Sequence, residues 1–278
     1  MNLPDVAPDG IDISRPSAAR VYDYFLGGAH NFAVDRDLAE QIARMTPNLA
    51  ETMRANRAFL RRAMHFLIGE GVRQFLDVGS GIPTVGNVHE VAQELAPEST
   101  VVYVDIDPVA VAHSRAILEG NERCAVICAD LREPERILAE SAELGLIDFS
   151  QPVAVLLAGV VHFIPDSDDP AGTIAQLRDA VTPGSFLLIS HATLDGQPIE
   201  VIEAQRLSAR TATEIVLRSR EEIEPYFGTS ATLASGTSGT FEMVEPGLVF
   251  IPAWRPEPGS AMEHPEMVGA YAGVARKR

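Results

Sequence analysis

Residues 75–84 read Phe-Leu-Asp-Val-Gly-Ser-Gly-Ile-Pro-Thr, an apolar run that breaks into glycines. This pattern is typical of a parallel strand that passes directly into a helix. Glycine at positions 79 and 81 removes the side chains that would keep a ligand away from the backbone. The free N–H groups of a following helix would also attract an anionic group. The stretch therefore predicts a loop that binds a nucleotide cofactor.

The spacing of the glycines separates two classes of cofactor loop. Dinucleotide-binding proteins use the third glycine of G-x-G-x-x-G to pack helix against strand, and Thr84 occupies that position here. Asp77, two places before the first glycine, instead makes the loop similar to motif I of class I S-adenosylmethionine-dependent methyltransferases. That resemblance implies that Gly79, Ser80 and Gly81 approach the methionine end of the cofactor. An ordinary glycine turn is the alternative for the loop taken alone.

A second apolar run, residues 101–104, leads to acidic residues at the end of a predicted strand. Asp105 lies 24 residues after Gly81, close to the roughly 20-residue offset at which a strand-end carboxylate reaches ribose hydroxyls. We predict that Asp105 binds the ribose, with Ile106 beside it in the cofactor site. A solvated strand end is the alternative. Asp107, which precedes a proline, is instead typical of a helix N-cap.

A third run, residues 125–129, ends in Asp130 and Leu131. Ligands of open α/β sheets bind at the carboxyl ends of the strands. In class I methyltransferases the matching acidic residue accepts a hydrogen bond from the adenine amino group, and its apolar neighbour packs on the base. The resemblance implies these roles for Asp130 and Leu131. A cap on the following helix is the alternative role of Asp130.

The alternation of strands and helices continues beyond this point and predicts the fold class. Residues 153–161 are apolar on both faces of the pleat, as in a central strand. A helical segment at 173–181 and a fifth strand at 186–191 follow, which predicts a doubly wound parallel sheet. Residues 241–244 and 248–251 flank Glu-Pro-Gly and predict a hairpin, which class I methyltransferases carry and dinucleotide dehydrogenases generally lack.

The amino-terminal part carries a more specific resemblance. Residues 15–24 read Arg-Pro-Ser-Ala-Ala-Arg-Val-Tyr-Asp-Tyr, Gly-Gly follows at 27–28 and Asn-Phe at 31–32, and Ser-His-Ala stands at 190–192. Together with the glycine loop, these segments resemble a family of S-adenosyl methyltransferases long described as a domain of unknown function. The resemblance extends over about residues 13–274. It implies S-adenosylmethionine as the cofactor and supplies no established substrate.

The length of 278 residues and a hydrophobic content of 46% predict one domain with additions rather than two domains. We expect a class I methyltransferase fold with a mostly parallel seven-stranded sheet, a C-terminal antiparallel hairpin and an N-terminal helical lid. The expected parts are a disordered tail at 1–12, the lid at 13–70, and the cofactor-binding domain at 71–278 with a helical insertion at about 195–226. A capping-box pattern at 219–222 lies in that insertion.

Two tyrosines of the predicted lid are candidates for contact with the donor. Tyr22 or Tyr24 would place an aromatic ring near the sulfonium, an attraction worth roughly 0.5 to 2 kcal/mol. The alternative is an amphipathic helix whose aromatic side chains pack in the core. His30 would join the site only through the same lid.

Histidines at strand ends are the candidate bases. His162 follows the fourth strand, and a histidine accepts a proton near pH 7, so we predict it as the base for an acceptor that carries a proton. A histidine held by a backbone partner is the alternative, and His191 is a further candidate in the same geometry. The carbonyl of Ala158 would receive the ammonium group of the cofactor. Neither Asn-Pro-Pro-Tyr nor Asp-Pro-Pro-Tyr occurs, which favours a small-molecule acceptor, for instance one that bears a hydroxyl.

The charge and the cysteines limit the partners and the location. A formal net charge of −17 argues against nucleic acid, whose affinity rests on Lys and Arg. Cys124 and Cys128 would lie roughly 13 Å apart along a strand, beyond the roughly 7 Å limit for a disulfide. No zinc-type cluster occurs, so no metal is expected. Without a signal-peptide pattern or an apolar run near about twenty residues, we expect a soluble, cytoplasmic protein that does not bind membranes.

One local basic cluster stands against the acidic background. The helical segment 53–67 carries four arginines together with periodic apolar residues. We interpret this face as solvated; its arginines are Arg54, Arg57, Arg61 and Arg62. No pattern in the chain predicts an oligomeric state.

Two other functions share part of this evidence. A dinucleotide-dependent oxidoreductase would use a similar sheet, but Thr84 and the predicted hairpin argue against it. A binding protein that holds S-adenosylmethionine as a sensor or interaction module would share every cofactor residue with the enzyme. Methyl transfer to any acceptor separates the second alternative from a methyltransferase.

Overall fold

The computed structural model describes residues 14–46, 48–83, 86–197, 215–229 and 240–278. The predicted tail at 1–12, Thr84 and residues 198–214 of the predicted insertion lie outside the described residues.

One sheet runs through the described part of the chain, and it confirms the predicted fold class. Five parallel strands lie in the order β3-β2-β1-β4-β5, and β8 continues the sheet antiparallel to β5. Their carboxyl ends therefore meet at one edge, where ligands of such sheets bind. The strands are β1 Gln74–Val78, β2 Thr100–Asp105, β3 Cys124–Cys128, β4 Val153–Ala158, β5 Phe186–Ala192, β6 Phe241–Met243, β7 Val249–Phe250 and β8 Ala270–Lys277.

Helices cover both faces of the sheet and begin where the sequence has capping residues. The Asp107 carboxylate accepts a hydrogen bond from the Val109 N–H, and Pro108 occupies the first helical position, as predicted. The predicted capping box between Ser219 and Glu222 is also formed. The helices are α1 Ala18–Phe25, α2 Ala33–Met45, α3 Leu49–Gly69, α4 Val88–Leu95, α5 Pro108–Ile117, α6 Pro134–Glu143, α7 Pro170–Ala180 and α8 Arg220–Ile223.

Two apolar layers hold these helices against the sheet. Along β2, Val101 and Tyr103 pack with α3 and α4, whereas Val102 and Val104 pack on the opposite face with α6 and α7. This alternation is the period of two that a strand buried on both faces requires. No helix in the described ranges is long and apolar enough to cross a membrane.

The N-terminal helices divide between the core and a cover. Phe59, Met64 and Leu67 on α3 are fully buried against the sheet. The predicted lid at 13–70 includes α3, whereas the structure makes α3 part of the core. Helices α1 and α2 instead form a small separate apolar cluster, against which Leu49, Ala50 and Met53 at the start of α3 pack. We call α1 and α2 together the cover.

The C-terminal strands pair differently from the predicted hairpin. The turn before Gly247 forms, since the Gly247 N–H donates to the Val244 carbonyl at 2.8 Å. However, β6 and β7 pair with β8 rather than with each other, through register pairs such as Phe241↔Lys277 and Val249↔Ala272. The chain therefore resumes its direction after the turn. The reversed strand is β8, which the local turn pattern did not predict.

Candidate functional site

The glycine loop lies at the carboxyl end of β1, as predicted. Gly79 and Gly81 adopt φ values of 73° and 64°, which other residues rarely take. The Gly79 N–H donates to the Val104 carbonyl at 2.8 Å. A Cβ atom on Gly79 would lie 2.2 Å from Cγ2 of Val160. The glycine is therefore required for the loop to pass between β2 and the segment that follows β4.

Asp105 organises this loop from the end of β2. Its side chain is 8% exposed, and its two oxygens accept the Gly81 N–H at 2.7 Å and the Asp107 N–H at 2.8 Å. Burial raises the pKa of Asp105, and the backbone hydrogen bonds oppose that rise. An ionised carboxylate has about four acceptor positions, so two backbone donors leave positions for hydroxyl groups of a ligand.

An open groove of about 470 Å³ lies between the ends of β2 and β3. Ile106 forms one wall and is 59% exposed, which is unusual for a large apolar side chain at the end of a central strand. An apolar wall facing a carboxylate suits a flat heteroaromatic ring with an amino group. The lining residues are Ile106, Cys128, Ala129, Asp130, Arg132, Glu133 and Arg136.

Of the two residues predicted to contact the adenine, Asp130 lines the groove and Leu131 does not. Both oxygens of Asp130 bind the Arg132 guanidinium, which also reaches Asp168 at 2.8 Å. Burial raises the pKa of Asp130, yet the hydrogen bonds from Arg132 outweigh it and hold the pKa below its usual range. Leu131 is 6% exposed and packs in the core. Leu131 does not line the groove, so its contact with the base stays a prediction, and Ile106 supplies the apolar wall.

Asp130 also differs from its alternative role as a helix cap. Its carboxylate accepts the Arg132 N–H at 2.9 Å, and Glu133 is the N-cap of α6. The side chain therefore closes a turn before the helix rather than capping it.

The two tyrosines of α1 point to different places. Tyr24 packs with the apolar cluster of the cover. The Tyr22 hydroxyl donates to the Met53 carbonyl at 3.2 Å and accepts from Asn56 Nδ2 at 3.3 Å. Asn56 Oδ1 in turn accepts from the Ser190 hydroxyl at 2.6 Å. This chain of hydrogen bonds joins α1 and α3 to the carboxyl end of β5.

Two charged residues at this edge were not among the predicted site residues. Asp77 is 5% exposed, and burial raises its pKa to about 7, with Arg57 lowering it and Asp105 raising it further. The Arg57 guanidinium lies 5.8 Å from the centre of the Tyr22 ring. Its Nε is buried and has no hydrogen-bond partner among the described residues. Arg57 therefore acts electrostatically on Asp77, and among the described residues the two side chains form no ion pair.

The four arginines of the predicted basic cluster on α3 lie on different faces of the helix. Arg54 and Arg61 are exposed, as interpreted. Arg62 donates to the carbonyls of Trp254 and Ile251 at 2.9 and 3.0 Å. Arg57 lies three and seven positions before the buried Leu60 and Met64, which places it on the inward face. That spacing is a signal in the sequence that identifies Arg57.

Histidine 191 is locked in place. It is 1% exposed, its Nδ1 donates to the Ala192 carbonyl at 2.8 Å, and its Nε2 accepts from Arg218 Nη1 at 3.0 Å. Burial lowers the pKa of His191 to about 4, although the hydrogen bond to Ala192 opposes the change and Arg218 adds to it. With both ring nitrogens engaged, His191 is not available as a base.

His162 follows β4 and faces a different environment from the one predicted. Burial, followed by the nearby His191 and Arg218, lowers the pKa of His162 to about 3. The imidazole is therefore neutral at pH 7 and a weak proton acceptor, so the premise that it titrates near pH 7 does not hold here. Its Nδ1 is buried and has no partner among the described residues.

Arg218 attaches the segment 215–219 to the residues that follow β4 and to β5. Its guanidinium donates to Asp166 at 2.6 Å and to the Ile164 carbonyl at 2.9 Å, besides its bond to His191. The Val216 N–H donates to the His162 carbonyl at 2.8 Å. No motif in the sequence identifies Arg218, because its partners come from distant positions of the chain.

The remaining predicted residues lie near the same edge or on the cover. Ala158 pairs with Ser190 in the register of β4 and β5, next to a Gly159 whose added Cβ would lie 3.2 Å from Asn56 Nδ2. The His30 ring meets the His113 ring of α5 edge to face, with centroids 4.9 Å apart. Within the described ranges, no three His, Cys, Asp or Glu side chains are grouped to hold a metal ion.

Comparison with known proteins places this geometry among methyltransferases. A family model described as S-adenosyl methyltransferase matches residues 4–278. The crystal structure of a candidate methyltransferase from Thermobifida fusca is 40% identical, with a TM-score of 0.87 over 99% of this chain and 100% of that one. A DUF574 family protein from Streptomyces avermitilis is 36% identical, with a TM-score of 0.86 over 96% of this chain and 99% of that one.

A curated relative matches a shorter part of the chain. Ribosomal RNA small subunit methyltransferase H from Halorhodospira halophila is 29% identical over 137 residues. That match spans 49% of this chain and 39% of the relative.

Proposed function

Because the chain belongs to the S-adenosyl methyltransferase family, we propose that it transfers a methyl group to a small-molecule acceptor bound at the carboxyl ends of β4 and β5. It is an S-adenosylmethionine-dependent methyltransferase, and S-adenosylmethionine is its cofactor. This membership decides against the dinucleotide-dependent oxidoreductase. The acceptor and the roles of the individual residues are the proposal.

The described residues fit the cofactor at three points. The glycine loop leaves space at Gly81, where an added Cβ atom would meet no described atom within 4 Å outside the neighbouring residues. Asp105 keeps acceptor positions for the ribose hydroxyls. The exposed Ile106 and the groove beside it suit the adenine. In this proposal Asp130 receives the adenine amino group once its carboxylate turns from Arg132.

The acceptor side is supported by the surroundings of His162. This imidazole is neutral at pH 7, and its Nδ1 is buried without a partner. Phe163 and Ile215 beside it are 37% and 44% exposed, which gives the site an apolar rim. A neutral hydrogen-bonding group next to apolar surface suits a compact, largely apolar acceptor with one polar reacting atom. This surrounding is the observation that carries the proposal.

In this proposal the main contribution of the protein to methyl transfer is the orientation of the acceptor. S-adenosylmethionine supplies an activated methyl group, so the C–S bond breaks as the bond to the acceptor forms. The chain orients the acceptor atom in line with that bond, and such orientation contributes up to about 7 to 11 kcal/mol in favourable systems. We assign His162 as the hydrogen-bond partner of the acceptor rather than a strong base. A proton on the acceptor then leaves to solvent.

Methylation of ribosomal RNA is a second candidate, and the 29% identical relative favours it. The net charge of −17 argues against it, because binding to a phosphate backbone depends on Lys and Arg. The two free cysteines, Cys124 and Cys128, support a location in the cytoplasm.

The test is a methyl-transfer screen with radiolabelled S-adenosylmethionine. Purified protein is incubated with a panel of phenols, enols, carboxylic acids and amines, and in parallel with small ribosomal subunits and their naked RNA. Transfer to a panel member that His162→Asn slows supports the proposal. Transfer to RNA alone overturns the small-molecule acceptor. The absence of transfer to any acceptor, with S-adenosylmethionine still bound, favours the sensor or interaction module.

A further inference from the structure

The observation that points beyond the predicted cofactor residues is the half-buried side chain of Arg57, whose Nε has no hydrogen-bond partner among the described residues. Arg57 sits on the inward face of α3, and its Nε is shielded from solvent without any hydrogen-bond partner among the described residues. Leaving a charged donor unsatisfied in this way costs free energy. Buried arginines at this edge are satisfied, since Arg20 binds Asp35 at 2.7 Å and Arg218 binds Asp166. Arg57 is therefore placed to receive an anion that binds from outside the chain.

The surroundings of Arg57 hold its position. Its guanidinium lies over the ring of Tyr22, 5.8 Å from the centroid, a contact in which the aromatic face attracts the cation. The Tyr22 hydroxyl is itself fixed by the Met53 carbonyl and by Asn56. A guanidinium fixed in this way presents a planar fork, which matches the two oxygens of a carboxylate.

A neighbouring acid, Asp77, is suited to a positively charged group on the same ligand. Asp77 is buried near the end of β1, and its carboxylate forms no ion pair with the described residues. Burial raises its pKa to about 7 while Arg57 lowers it, so the two charges interact without a direct ion pair. A buried acid and an arginine with an unpartnered Nε, which interact near one loop, match a zwitterion that brings both an ammonium and a carboxylate.

We propose that Arg57 binds the carboxylate of the methionine end of S-adenosylmethionine. This assignment rests on the proposed orientation of the cofactor, with its methionine end at the glycine loop and its adenine beside Ile106. It also changes the expected role of Tyr22: the cation that its ring contacts is Arg57, and the tyrosine acts through that guanidinium as a positioning residue.

A pair of ligands that differ only in the carboxylate tests the assignment. Affinities for S-adenosylmethionine and decarboxylated S-adenosylmethionine are measured by calorimetric titration with the wild type, with Arg57→Met and with Arg57→Lys. A charge-assisted hydrogen bond contributes about 1.5 to 3 kcal/mol, so the wild type should prefer the carboxylated ligand about ten- to hundredfold. Arg57→Met should lose that preference, and Arg57→Lys should keep part of it. Arg61→Met, exposed on the same helix, should keep all of it.

The possible outcomes distinguish a failure of the cofactor site from a failure of the Arg57 assignment. If the wild type binds neither ligand, the cofactor site itself is wrong. If the wild type binds both equally, or Arg57→Met keeps the preference, Arg57 does not receive the carboxylate. If Arg57→Met weakens both ligands by the same factor, the residue is structural and the assignment fails. Circular dichroism of each variant verifies its fold, and Arg57→Lys provides the comparison should the methionine variant be misfolded.

Discussion

At the scale of single residues, burial decides which charged groups of the site are free to meet a ligand. Asp130 is held by Arg132 and His191 by Arg218, whereas the Nε of Arg57 and the Nδ1 of His162 have no hydrogen-bond partner among the described residues. A polar group left unsatisfied in the interior costs about 1 to 3 kcal/mol. Such groups are therefore expected at positions where a ligand completes the hydrogen bonds.

Asp105 gives the residue-scale prediction. Its carboxylate joins the Gly81 and Asp107 N–H groups and keeps positions for ribose hydroxyls. Asp105→Ala should weaken binding of S-adenosylmethionine by on the order of 2 kcal/mol, because a charge-assisted acceptor is lost. Asp105→Asn keeps the shape and separates the loss of charge from collapse of the loop. Titration calorimetry measures both, with Glu119→Gln on the exposed surface as the control. Unchanged affinity in both variants would contradict the ribose assignment.

At the scale of elements, the cover packs on the start of α3 and reaches α5 through a few polar contacts, without entering the two apolar layers of the sheet. Helices α1 and α2 bury a small separate cluster. The Ser17 hydroxyl hydrogen-bonds to Asp107 at the start of α5, and His30 meets His113 on that helix. Regions with few buried apolar contacts open at lower free energy than the core. The cover is therefore the part of the described chain that opens most readily.

Asp35 gives the element-scale prediction. Its carboxylate pairs with the buried Arg20 at 2.7 Å and accepts the N–H groups of Ser17 and Phe32. Asp35→Asn leaves Arg20 buried and without a counter-ion, a change that typically costs about 3 to 5 kcal/mol. Hydrogen exchange should show lost protection across α1 and α2, with β1 to β5 still protected.

The control for this experiment is Asp37→Asn, an exposed position on the same helix, which should leave exchange unchanged. Uniform loss of protection through the sheet would show that the cover and the core unfold as one unit, contrary to this expectation.

At the scale of the whole molecule, the stability depends on histidines that are buried without charge. The pKa values of His162 and His191 are lowered to about 3 and about 4. In the unfolded chain these groups take up protons below about pH 6.5. The unfolded state then binds more protons than the native state, so this stabilising contribution is present above pH 6.5 and is lost as the pH falls.

The whole-molecule prediction compares the wild type with His162→Asn. Between pH 7 and pH 5 the free energy of unfolding of the variant should fall by about 2 kcal/mol less than that of the wild type. Asp77 acts in the opposite direction, since its raised pKa favours the native state as the pH falls, but it does so in both proteins and cancels. Urea denaturation at pH 7, 6 and 5 measures the difference. His65→Asn, on the exposed side of α3, should behave like the wild type, and parallel curves for all three proteins would contradict the prediction.

Local pattern determined the elements that depend on neighbours in the chain. The five parallel strands, the glycine loop and the caps at Asp107 and Ser219 follow from short-range spacing, and Asp105 follows from its position 24 residues after Gly81 at the end of a predicted strand. Strand period, glycine at positive φ and side-chain caps are short-range effects, so one sequence is sufficient to find them. The resemblance carried by residues 15–24 then identified the family.

Only the tertiary structure decided which side chains face the site and in which state. The hydrogen-bond partners of the Arg218 side chain come from two separate segments, at 161–166 and at His191. Asp77 has its pKa raised by burial, and Leu131 turns into the core while Ile106 remains exposed. The pairing of β6 and β7 with β8 is likewise a contact between distant parts of the chain. Desolvation and long-range pairing depend on the whole packed molecule, and no local spacing encodes them.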